Sequence, residues 1–179
     1  MTYFSREELV NAISNDFDKL VNIERKEFGE NCYDKFPVSF WEYAKALFEL
    51  EKDCIIGSNA KGKSGWAYNK ALAFLFSNSC IVTAGDVAKE LGYGYDSYAA
   101  ANLRLGEFGN KLREKLGHLT NDKYAKNEPY DVNLCSFISF AANPKSGVLF
   151  ILRERFRTAL AECFGDDEIK LWLAAPKLD

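Results

Sequence analysis

Residues Val82 to Gly117 read VTAGDVAKELGYGYDSYAAANLRLGEFGNKLREKLG, and two helices are spelled out in this stretch. Thr83, followed three residues later by Asp86, opens a short helix through AGDVAKEL. Gly92 stops it, because glycine takes the left-handed backbone of a helix end at no steric cost. Tyr93-Gly94-Tyr95 is a turn, and Asp96 or Ser97 caps a longer helix that runs to Leu116 and stops at Gly117. Tyr98, Ala101, Leu105, Phe108, Leu112 and Leu116 recur at spacings of three and four, one apolar stripe facing a core. Asn102, Arg104, Asn110, Lys111, Arg113 and Lys115 are left for the other face.

Toward the C-terminus, residues 118–131 are polar and read as a loop. LCSFISF, AANPKSG and VLFIL then follow: two β-rich runs around a Pro/Gly turn, which predict residues 135–140 paired antiparallel with residues 148–152. A last helix is expected from about Arg153 to Cys163, and then an acidic tail with Asp166-Asp167-Glu168, Leu171 and Trp172. Just before Thr83, Cys80-Ile81-Val82 is a short β-like run.

The order from residue 80 is therefore strand, short helix, turn, longer helix, loop, hairpin, helix. That is the order of a winged helix-turn-helix, whose longer helix enters the DNA major groove while the hairpin leans on the neighbouring backbone. Asn suits adenine and Arg suits guanine, so Asn102 and Arg104 are the expected base readers. Lys111, Lys115 and, at the hairpin turn, Lys145 complete the expected DNA-binding set.

Toward the N-terminus, Ser5 with Glu8 is a capping box, and Leu9, Ile13, Phe17 and Leu20 continue a helix over about 6–21. Residues 22–37 are charged and irregular and end at Pro37. Ser39 caps a second helix with Phe40, Ala44, Leu47 and Phe48 on one face, and a third helix runs from about Trp66 to Phe76. Ser77-Asn78-Ser79 marks a boundary, giving an N-terminal helical region over 1–78, a winged-helix region over 79–162 and an acidic tail over 163–179. The expected fold class is mainly α with a small antiparallel sheet: an N-terminal helical part plus a winged helix-turn-helix.

Between the second and third helices stands GSNAKGKS, residues 57–64, a letter-for-letter G-x-x-x-x-G-K-[ST] phosphate-loop pattern. A working loop of this kind joins a buried strand of a parallel sheet to a helix, its amides wrap the phosphates, and its Lys and Ser reach phosphate and magnesium. Here only Cys54-Ile55-Ile56 offers a strand, and no aliphatic run ending in Asp supplies a magnesium partner. The expectation is a solvated connection between helices, with a nucleotide-binding enzyme using Gly57, Gly62, Lys63 and Ser64 as the alternative.

The stretch quoted at the outset resembles a module found beside the nuclease domain in restriction endonucleases of the His-Asn-His type. The resemblance rests on the Leu91-Gly92-Tyr93 end of the short helix, Ala100-Ala101-Asn102, Leu105-Gly106 and Leu116-Gly117, with SGVLFILRERFRTAL as the closing strand and helix. It covers residues 81–160 and implies a DNA-associated role in bacterial or phage defence or counter-defence. The nuclease chemistry does not carry over, since the only histidine is His118.

Composition bounds the rest. The 179 residues carry a formal net charge of −3, and the tail is acidic. Residues 83–160 hold eleven Lys and Arg against nine Asp and Glu, a mild positive excess. The five cysteines form no C-x-x-C pair, and no His, Cys or Asp arrangement suggests a metal site or a nucleophilic triad. There is no signal-peptide pattern and no membrane-length apolar run. The sequence therefore reads as a cytoplasmic, non-catalytic protein with no cofactor. Its expected partner is duplex DNA or a protein of a nucleic-acid-processing complex, with a possible homodimer. A protein-interaction inhibitor of a nuclease complex is the alternative that the acidic pI of about 5.4 favours.

Overall fold

The capping signals at Ser39 and Thr83 are realised, whereas Ser97, at the N-cap of the longer helix, makes no side-chain capping hydrogen bond. The structure, a computed structural model, describes residues 3–28, 38–78, 82–117, 132–145 and 147–177. Helix α1 spans Arg6–Phe28, α2 Phe40–Lys52, α3 Gly62–Ser77, α4 Ala84–Leu91 and α5 Tyr98–Leu116. A short α6, Val132–Cys135, precedes strands β1, Ile138–Asn143, and β2, Gly147–Leu152, and then α7, Glu154–Phe164, and α8, Asp166–Ala174. The fold is mainly helical with one small antiparallel sheet, as the sequence predicts.

Ser39 and Glu42 form a reciprocal capping box at α2, and Thr83 and Asp86 do the same at α4. Gly92 ends α4 in the left-handed conformation, at φ 90° and ψ 12°. Helix α1 extends past the expected residue 21, with Asp16 at φ −129° marking a kink. Helix α3 starts at Gly62, four residues before the expected Trp66.

The hairpin differs from expectation in register. Its pairs run from Ile138 with Leu152 to Asn143 with Gly147. Cys135 belongs to α6, and Ser136 and Phe137 form the turn that follows it, their N–H groups donating to Asn133 and Leu134. Arg153 N–H donates to the Phe137 carbonyl at 2.9 Å, one step further in the same register, while its Nε holds the Cys135 carbonyl, at the end of α6, at 2.7 Å. A third segment adds to the sheet, since Phe150 N–H donates to the Val82 carbonyl at 2.7 Å in an antiparallel bridge. The expected residues Cys80 and Ile81 of that run lie outside the described residues, as does the polar loop 118–131 with His118.

One cluster of buried side chains runs from Leu9 to Trp172, so the first 78 residues and the segments after residue 82 share a core. Its centre is aromatic: Phe108 packs edge-on against Phe137, and Phe156 lies against both Phe137 and Tyr43. The Tyr43 hydroxyl donates to the Ser136 carbonyl at 2.7 Å, tying α2 to the turn before the hairpin. The acidic tail is not a loose appendage. Asp166, Asp167 and Glu168 occupy the first turn of α8, and Ile169 and Trp172 are buried. Lys70 of α3, only 2% exposed, donates to the carbonyls of Leu173 and Ala175 at the end of α8 and pairs with Glu90 of α4 at 3.4 Å. None of the described helices is long and apolar enough to cross a membrane.

Candidate functional site

Helix α5 decides where the expected DNA-binding residues point. Its buried residues are Ala101, Leu105, Phe108, Gly109, Leu112 and Leu116. At about 100° per residue, Leu103, Asn110 and Glu114 fall on the side opposite this stripe, with Glu107 beside them. Leu103 is 62% exposed, and Asn110 and Glu114 are exposed too. The outward face of α5 is thus apolar and acidic. Its cations sit on the two flanks.

One flank meets the start of α3 and the loop before it. Arg104 Nη1 donates to Ser64 Oγ at 3.0 Å and to Glu107 Oε2 at 3.1 Å, and its Nε to the Tyr93 hydroxyl at 3.4 Å. Lys115 pairs with Asp53 at 2.7 Å, and that contact raises its pKa. The other flank meets α6, where Arg113 donates to Asn133 Oδ1 at 2.8 Å. Asn102 lies on that side as well, half-buried, with a side-chain oxygen that accepts no hydrogen bond among the described residues. Gly109 lets the helices approach there: a Cβ on it would lie 2.1 Å from the Asn133 carbonyl oxygen. So Arg104 and Lys115 are engaged within the fold and Asn102 is half-buried, while Lys145 is exposed at the hairpin turn. Long-range partners such as Ser64 leave no local trace in the sequence, but counting helix angles does place Leu103 and not Arg104 farthest from the core.

The G-x-x-x-x-G-K-[ST] stretch lies in a helix–loop–helix. Cys54-Ile55-Ile56 is not a strand. The N–H groups of Cys54 and Ile55 donate to Glu51 and Leu50, with Cys54 left-handed at φ 59°, the bonding pattern of a helix end. Ile56 is fully buried. Gly57, at φ 94°, is clamped to α3 by Asn69. The only sheet among the described residues is the antiparallel hairpin with its Val82 bridge, so the parallel sheet behind a phosphate loop is missing there. Lys63 and Gly62 are exposed, Ser64 is held by Arg104, and of these four residues Ser64 alone lines the cavity beside the loop.

A cavity of about 590 Å³ does open beside this loop, between residues 53–61, the start of α3 and α5. Asp53, Lys61, Ser64, Tyr68, Glu107, Asn110 and Lys111 line it. Tyr68 donates its hydroxyl proton to Glu107 Oε2 at 3.1 Å, and burial together with that carboxylate pushes its pKa up to about 12. Among the described residues no group of three or more His, Cys, Asp or Glu side chains is placed to hold a metal ion. Compared with known proteins, the chain matches no family model, and no curated protein or solved structure is significantly similar to it.

Proposed function

We propose that this chain is a non-catalytic winged-helix protein of a nucleic-acid-processing system, of the bacterial or phage defence or counter-defence kind. It acts by docking onto a protein partner, not by reading DNA bases with α5. The element order from α3 to β2 supports the winged-helix part, as does the pairing of the Val82 segment with β2. The resemblance of residues 81–160 to the module beside His-Asn-His nucleases supports the setting.

One observation carries the choice of protein over DNA. The side of α5 that a winged helix presents to a groove bears Leu103, Asn110, Glu107 and Glu114, while Arg104, Arg113 and Lys115 are engaged at its flanks. A duplex repels such a face, since affinity for DNA comes chiefly from cations that displace its counterions. A protein groove accepts it, with Leu103 as an apolar anchor between polar neighbours. The net charge of −3 favours a basic partner surface.

The test is a salt titration of binding to a fluorescent duplex. Wild type is expected to show no saturable duplex binding at low salt. Micromolar binding whose log–log salt slope falls by about one for Arg104→Ala or Lys115→Ala would restore the DNA-reading helix.

A further inference from the structure

We propose that the cavity between residues 53–61, α3 and α5 binds a small phosphate-bearing ligand through Lys61 and Lys111. Charge pairing within the cavity is the reason. Two carboxylates line it, and both are already taken: Asp53 by Lys115 at 2.7 Å, and Glu107 by Arg104 and the Tyr68 hydroxyl, each at 3.1 Å. Two ammonium groups also line it, Lys61 and Lys111, and neither makes an ion pair or hydrogen bond among the described residues. The cavity is left with two uncompensated positive charges in a hollow of about 590 Å³, large enough for a di- or polyphosphate group. A ligand bearing at least two negative charges gains a charge-assisted hydrogen bond from each lysine. The lysines and the cavity carry the assignment. The first turn of α3, which Lys61 leaves without a side-chain cap, adds backbone donors at the same place.

The site is not a phosphate loop in another guise. In the letter pattern the phosphate lysine is Lys63, which does not line the cavity. The geometry selects Lys61 and Lys111 instead, one within the motif but at a position it leaves open, the other 50 residues away in sequence. The cavity borders the docking surface on the outward side of α5, sharing Glu107 and Asn110 with it, but Leu103 and Glu114 do not line it.

Calorimetry with inorganic pyrophosphate on the full chain tests it, for wild type, Lys61→Ala/Lys111→Ala and Lys63→Ala, with a duplex oligonucleotide as a second titrant. Wild type is expected to bind pyrophosphate, and the double variant to bind about 100-fold more weakly, about tenfold for each charged hydrogen bond lost. Lys63→Ala keeps wild-type affinity. Neither ammonium group makes an ion pair or hydrogen bond among the described residues, so the double variant is expected to retain the wild-type melting temperature, which excludes unfolding as the cause. Absence of pyrophosphate binding overturns the proposal. So does a loss confined to Lys63→Ala, which returns the letters to their phosphate-loop role, and so does tighter binding of duplex than of pyrophosphate, which makes the lysines a nucleic-acid contact.

Discussion

Asn69 grips Gly57 at both of its backbone groups: Gly57 N–H donates to Asn69 Oδ1 at 2.9 Å, and Asn69 Nδ2 donates to the Gly57 carbonyl at 2.9 Å. The first glycine of the phosphate-loop pattern is therefore a fastening point between the α2–α3 connection and α3. Its φ of 94° lies where side chains are strained, and a Cβ there would come within 3.0 Å of the Glu51 side chain. Asn69→Ala removes both bonds from a half-buried site and is expected to destabilise the fold by about 1–3 kcal/mol. Urea unfolding followed by circular dichroism measures it. An unchanged midpoint would mean that the loop does not depend on the clamp.

What could be read in the sequence was what depends on neighbours along the chain. Ser39 with Glu42, Thr83 with Asp86 and Gly92 act within four residues, and the α5 stripe repeats from Ala101 to Leu116, so each left a local signature; Tyr98, expected in that stripe, is 58% exposed. The hairpin was legible as two β-rich runs. Its register was not, because Cys135 is taken into α6 and its carbonyl is held by the Arg153 side chain from eighteen residues away. The same physics hid the fate of α5's cations. Whether Arg104 meets a guanine or Ser64 depends on where α3 lies, which no spacing within α5 encodes. The tail was legible only as acidic, yet its Trp172 is 5% exposed and its final carbonyls are held by Lys70.

Two glycines in α5 respond in opposite directions to one added methyl group. A Cβ at Gly109 meets the Asn133 carbonyl oxygen, a backbone atom with little room to yield, whereas nothing lies within 4 Å at Gly106. Gly109→Ala is expected to cost about 1–3 kcal/mol or more through overpacking. Gly106→Ala gains about 0.5–1 kcal/mol, because alanine loses less freedom in a helix. Thermal melts of the two variants side by side check the contrast, and a stable Gly109→Ala would show that α6 can move off α5.

Lys70 joins three helices with one ammonium group. Replacing it by Met keeps the stem and removes the charge, leaving the carbonyls of Leu173 and Ala175 and the Glu90 carboxylate without their donor. The expected loss is about 3 kcal/mol, that of breaking a buried ion pair from one side. Hydrogen exchange adds a local signature: α8 should lose protection before α2 does, since α8 is what Lys70 retains. Equal loss in both helices would instead mark Lys70 as a general core residue.

Glu168, in the first turn of α8, carries a carboxyl whose pKa is raised, first by burial and then by the nearby Glu51 charge, with Arg6 pulling the other way. A raised carboxyl binds its proton more tightly in the folded chain than in the unfolded one. Its contribution to stability is therefore fully present below the unfolded value of about 4.3 and is lost as pH rises through the folded value. Above that value the folded chain holds an ionised, partly desolvated carboxylate at a cost. Glutamine in its place is neutral at every pH and keeps the shape. Glu168→Gln is expected to melt higher than wild type at pH 8, and the difference should vanish as pH falls below the ordinary carboxylate range. Melting curves from pH 3 to 8 for both proteins measure it. A variant that melts lower than wild type at pH 8 would show that the pull of Arg6 and of the Ser58 backbone N–H outweighs desolvation, and that Glu168 is there to be charged.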